Sequence, residues 1–203
     1  MSRVADGFAK SMTKFFRFVA DNFFAQRYGH RAVVLETIAA VPGMVAGVHL
    51  HFKSLRKMKT GYGFAIREML AEAENERMHL MFFIDIAKPN LFERFLVVLA
   101  QLIFMSFYFT LYLISFPTAH RMVGYFEEEA VRSYTDYLDL IYKGKIENVH
   151  APQLAIEYYG LKPGAKLSDM IICVRDDEKK HAAVNHRYAD KARESKPWRI
   201  AER

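Results

Sequence analysis

Residues 76–79 read Glu-Arg-Met-His and residues 178–181 read Glu-Lys-Lys-His. A glutamate and a histidine three positions apart share one face of a helix, so each stretch presents a carboxylate and an imidazole to a single point. Two more carboxylates stand inside apolar helical sequence: Glu36 in AVVLETIAAVPGMV (residues 32–45), and a glutamate of the triplet in MVGYFEEEAV (residues 122–131). Helical spacing alone does not choose among Glu127, Glu128 and Glu129. One carboxylate from each of two helices, with Glu-x-x-His from each of two others, is the formula of a dimetal carboxylate bundle. The fold class that follows is all-α, a ferritin-like four-helix bundle.

Charge explains why these residue types belong together. Four carboxylates carry −4, which balances two divalent cations. Without metal, several buried carboxylates would repel one another and lose their hydration, so they would be protonated or exposed instead. A third Glu-x-x-His, Glu147 to His150, follows Gly144, precedes Ala151-Pro152 and has no apolar helical frame to bury it. It is not expected to bind metal.

Working outward, periodicity predicts helices over about 8–27, 31–58, 64–87, 90–115, 118–143 and 167–191, with no competing strand pattern. The breaks fall at Gly61 and Gly63, at Lys88-Pro89-Asn90, at Pro117, and from Gly144 to Pro163-Gly164. Ser168 can cap the last helix or sit in its first turn, and Pro42 should kink the second helix locally. Ala39, Ala40, Gly43 and Gly47 form a small-residue seam that lets a neighbouring helix approach closely. With 203 residues, six prolines and ten glycines spread along the chain, one domain is expected. The single Cys173 excludes an intrachain disulfide and suits a role as core filler.

The formal net charge is +6 and the pI near 9.3. Residues 1–31 hold Arg3, Lys10, Lys14, Arg17, Arg27 and Arg31 against Asp6 and Asp21, a local excess of +4. In the same segment Phe8, Met12, Phe15, Val19 and Phe23 follow helical spacing, with charges on another face, which is the pattern of an interfacial helix. The expected partner is membrane lipid and not nucleic acid. The run FLVVLAQLIFMSFYFTLYLISF, Phe95 to Phe116, is uncharged and long enough to cross a bilayer. A crossing would separate the ligands at 76–79 from Glu127, so burial in one leaflet is expected instead. The first apolar run is broken by charge, so no secretory signal is read.

RAVVLETIAAVPGMVAG (31–47), EAENERMHLM (72–81), HRMVGYFEEEAVRSYT (120–135) and RDDEKKHAAVNH (175–186) together resemble the successive motifs of the alternative oxidases, in order and at the usual spacing. The resemblance runs from about Phe23 onward. It implies two iron ions per chain, held by Glu36, Glu76, His79, Glu127, Glu178 and His181. It selects Glu127 from the triplet, because the first glutamate is the family ligand, and it makes Asn75 and Asp177 partners that orient the imidazoles. It implies a quinol pocket near Arg31, Leu35, Ala130 and Ser133, with Tyr134 as the redox phenol. Tyr134 lies seven residues after Glu127, two turns along the same face.

The implied reaction is non-pumping oxidation of ubiquinol with reduction of dioxygen to water. A membrane-bound quinone hydroxylase and a ferritin-like iron-binding protein are the rivals, and a homodimer is left open. Departures from the family pattern are Ser133 for a common Thr, Tyr159 for a common Trp, a proline before His120 displaced by one, and Lys179-Lys180 between the last two ligands. The motifs begin so near Met1 that a short bacterial-type form is expected, monotopic on the cytoplasmic face of the inner membrane, the alternative being the matrix face of the mitochondrial inner membrane.

Overall fold

The computed structural model of the protein describes residues 3–24 and 27–193. Among them are seven helices: α1 Arg3–Phe24, α2 Tyr28–Lys57, α3 Gly63–Ala87, α4 Leu91–Ile114, α5 Phe116–Tyr142, α6 Gln153–Tyr159 and α7 Leu167–Arg193. No strand occurs among the described residues beyond an isolated bridge between His150 and Lys166. Sequence periodicity finds six of the seven and misses α6, which has only seven residues.

The bundle is built on two helix pairs, α2 against α3 and α5 against α7, with α4 lying on α2 and α5 and α1 lying on α5 and α2. These four central helices carry the four carboxylate motifs. Local chemistry sets their ends. Asn90 and Glu93 form a reciprocal capping box at the start of α4. The Ser115 hydroxyl accepts from the Thr118 N–H at the start of α5. Ser168 sits inside the first turn of α7, where the Asn148 side chain accepts from its backbone N–H at 3.0 Å. Pro42 lies within α2, which runs on through it.

Gly43 and Gly47 lie where α2 meets α3. A Cβ at Gly43 would stand 2.4 Å from the Met69 backbone oxygen, whereas one at Gly47 would meet only the end of the Leu70 side chain, at 2.7 Å. Backbone cannot step aside as a leucine methyl can. Gly43→Ala is therefore expected to destabilise by about 1–3 kcal/mol and Gly47→Ala by less, as read from urea unfolding midpoints. Equal midpoints would refute a backbone-limited contact.

Two helices, Tyr28–Lys57 and Leu91–Ile114, are long and apolar enough to cross a membrane. They differ in surroundings. The apolar window of α2 is 61% buried within the protein, that of α4 only 17%, so α2 is a core helix and α4 turns Phe95, Leu102, Ile103 and Leu113 outward. The α1 helix is apolar on two neighbouring faces. Ala9, Met12 and Phe16 pack into the core, Phe16 against Phe104 and Phe126, while Phe8, Phe15 and Phe18 are exposed. The single stripe read from sequence thus divides, with Met12 turned inward; the side chains of Arg3, Val19, Asp21 and Phe23 lie outside the described residues. Cys173 is half-buried, so its packing role is partial.

Candidate metal centre

Burial inside the four central helices sorts the candidates. Glu36 on α2, Glu76 and His79 on α3, Glu127 on α5, and Glu178 and His181 on α7 are all buried. Glu128 and Glu129, one and two positions on, rotate out of the bundle: Glu128 faces His186, and Glu129 pairs with Arg17 and Arg132. Helical phase therefore turns Glu127, and not its two neighbours, into the bundle. Glu147 and His150 are exposed, outside the bundle, with the His150 ring beside Lys166.

The six residues form two overlapping groups. In one, ligand atoms of Glu36, Glu76, His79 and Glu178 lie within 4.8 Å of one another; in the other, those of Glu76, Glu127, Glu178 and His181 do so. Glu76 and Glu178 belong to both. Each group adds one further carboxylate and one imidazole to this shared pair, so the six residues could hold two cations side by side. The His79 Nδ1 stands 3.4 Å from Glu36, 3.5 Å from Glu76 and 3.2 Å from Glu178. The His181 Nδ1 stands 2.5 Å from Glu76 and 3.6 Å from Glu178.

These atoms are crowded yet unsatisfied. Both oxygens of Glu76 and of Glu178, Oε2 of Glu36 and the Nδ1 atoms of His79 and His181 are buried without a hydrogen-bond partner. Orphaned buried acceptors in such number would be costly, and a multivalent cation satisfies them together. Burial pushes the carboxyls of Glu36 and Glu127 well above the usual carboxylate range, and the charge of Glu178 adds to it in both. For the two imidazoles burial opposes charge, but the surrounding carboxylates prevail and raise both. The donor set and the electrostatics fit a metal site.

Around this set lie hydrogen-bonded side chains on both sides. Asp177 is half-buried; burial raises its carboxyl, but the nearby His79 imidazole, together with hydrogen bonds from Lys180, Tyr159 and Asn75, outweighs it and holds it below the usual range. The Asn75 Nδ2 donates to Asp177 at 3.2 Å and to the Tyr158 phenol at 2.9 Å. On the other side, Asn185 Nδ2 donates to Glu72 at 2.8 Å and to the His181 carbonyl at 3.0 Å, and its Oδ1 lies 2.7 Å from the His120 Nδ1. Burial brings Glu72 up to about 7 and His120 down to about 4. Sequence reasoning missed Glu72, His120 and Asn185. The signal was present in part, since Glu72 is one turn before Glu76 and Asn185 one turn after His181.

A cavity of about 170 Å³ reaches the centre. Arg31, Leu35, Ala130 and Ser133 all line it, with Glu36, Glu127 and Glu178 on its wall, and α1 contributes Thr13, Phe16 and Arg17. Tyr134 is buried beside it, its hydroxyl donating to Glu36 Oε1 and its ring stacked on Phe83 with centroids 5.7 Å apart.

The sequence profile of the family described as alternative oxidase matches residues 1–190. The chain belongs to the alternative oxidase family. Among similar proteins, it is 50% identical over 188 residues to the mitochondrial ubiquinol oxidase of Batrachochytrium dendrobatidis, covering 93% of this chain and 59% of that one. It is 52% identical over 181 residues to mitochondrial ubiquinol oxidase 2 of Nicotiana tabacum, with 89% and 61% covered. It is 53% identical over 177 residues to mitochondrial ubiquinol oxidase 1 of Glycine max, with 87% and 55% covered. This alternative oxidase chain thus spans 55–61% of the length of these relatives.

Proposed function

We propose that the protein is a ubiquinol oxidase that binds two iron ions per chain. In this reading it takes electrons and protons from two ubiquinols and reduces one dioxygen to two waters without pumping protons. The observation that carries it is the cavity, whose mainly apolar walls include both the residues assigned to the quinol and three carboxylates of the centre. Glu36, Glu76, His79, Glu127, Glu178 and His181 would hold the metal, which when bound supplies the electron-accepting and dioxygen-reducing chemistry.

The protein's own groups have separate tasks. The buried Arg31 guanidinium can donate to a quinol oxygen, with the Ser133 hydroxyl able to donate or accept. Leu35 and Ala130 provide apolar contact for the ring. Tyr134, bonded to Glu36, lies on the way from the cavity to the metal ligands; burial and then the Glu36 charge raise its phenol well above the usual value, so the proton stays on oxygen. Asn75 and Asp177 orient the His79 side of the centre. The described helices act as a single domain, with the outward face of α4 and the exposed phenylalanines of α1 lying in one leaflet of an inner membrane. The basic residues beside that α1 face suit anionic headgroups.

The direct test is iron content measured together with oxygen uptake on adding a short-chain quinol to anaerobically prepared protein. Two irons per chain and quinone with water as products are expected. A hydroxylated ring would make it a monooxygenase, and iron in large excess over two would make it a storage protein.

The monotopic arrangement has its own test. Single cysteines replacing Lys88 and Ile114, both exposed and at opposite ends of α4, should be labelled from the same side of sealed vesicles. Opposite-side labelling would mean that α4 spans the bilayer.

A further inference from the structure

The seven-residue α6 ends on Tyr158 and Tyr159 before Gly160 turns the chain away with a φ of 63°. Its packing brings the Tyr159 ring against Phe82, centroids 5.7 Å apart, and its phenol to the outer edge of His79. His79 has no exposed surface, so its outward nitrogen must find a partner inside the protein.

We propose that Tyr159 is a positioning residue of the metal centre: its oxygen accepts the Nε2–H of His79 while its own O–H donates to Asp177, fixing the imidazole with Nδ1 toward the carboxylates. The inference rests on the metal reading above. The distances favour the relay over a direct bond. Asp177 Oδ2 is 3.6 Å from His79 Nε2, beyond a hydrogen bond, whereas the phenol oxygen is 2.9 Å from each of them. A phenol has one proton. Asp177, which already accepts from Asn75 and from Lys180 at 2.7 Å, is an acceptor and takes that proton's bond. The Tyr159 oxygen then faces His79 as an acceptor, so Nε2 carries the hydrogen and the Nδ1 lone pair points inward. An indole in this place could donate to Asp177 but could not accept from His79.

The test is anaerobic titration of ferrous iron against a chromogenic chelator, beside thermal midpoints of the metal-free proteins. Tyr159→Phe keeps the ring and its contacts; it is expected to weaken iron binding at least about tenfold. Asp177→Asn should weaken it comparably, and the double variant should be no weaker than the worse single variant within about twofold, because one chain of bonds is broken in each. Tyr142→Phe, which removes an exposed phenol at the end of α5, should bind like wild type. Wild-type affinity in Tyr159→Phe, with or without a lowered midpoint, would assign Tyr159 to packing and overturn the proposal, as would multiplicative losses in the double variant. Wild-type protein that binds iron but oxidises no quinol would overturn the functional reading alone.

Discussion

Glu178→Ala is expected to abolish stoichiometric iron binding, from two per chain to a trace. Glu178 contributes to both overlapping ligand groups, so its loss opens each cation position and removes a charge that balances both. Glu127 belongs to one group only, and Glu127→Ala should lose at least one iron. The comparison that gives the result meaning is Glu147→Ala and His150→Ala, which should keep both irons because the same sequence pattern is there exposed and belongs to neither ligand group. Unfolding is a rival cause of lost metal. Removing one of several mutually repelling buried carboxyls relieves repulsion and desolvation, so the volume-conserving Glu178→Gln should lose iron without lowering the thermal midpoint of the metal-free protein. Equal iron loss from the Glu147 and Glu178 variants would show that burial is the wrong criterion for choosing the ligands.

Tyr134→Phe is expected to keep both irons and to lower quinol oxidase activity by more than about tenfold, the lower end of what a positioned proton donor contributes being larger still. None of the six assigned ligands changes. The ring remains stacked on Phe83 of α3. What disappears is the hydroxyl that donates to Glu36, and with it a group that can move a proton and an electron together. Two comparisons divide the roles: Glu127→Ala should lose iron and activity in step, and Arg31→Ala should raise KM for quinol more than it lowers kcat. Near-normal oxygen uptake by fully metallated Tyr134→Phe would reduce Tyr134 to a packing residue.

The sequence shows the four ligand-bearing helices because each presents a long periodic frame around a carboxylate, and the Glu-x-x-His spacing survives uncertainty of a residue or two at helix ends. It does not resolve the glutamate triplet by itself; that depends on helical phase, which places Glu127 inward and gives Glu128 to His186 and Glu129 to Arg17. It misses α6 because seven residues between Pro152 and Gly160 are too few to display a period, and with α6 it misses what Tyr159 touches. It reads α1 as having one apolar face, since spacing alone cannot separate two adjacent faces with different neighbours. The buried chain from His120 through Asn185 to Glu72 joins α5, α7 and α3, and no local pattern reports a contact among three distant segments.

The cavity wall supplied by α1 bears on how turnover should be measured. Thr13, Phe16 and Arg17 line the cavity on one side of that helix, while Phe15 and Phe18 project from the other. If the outer side rests in lipid, the substrate arrives by lateral diffusion within the bilayer and never as a solute in bulk water. Occupancy is then governed by the mole fraction of quinol in the membrane. Diluting vesicles with buffer at fixed composition should leave the rate per protein unchanged, whereas adding inert lipid at fixed total quinol should lower it: the kinetics of a two-dimensional solvent.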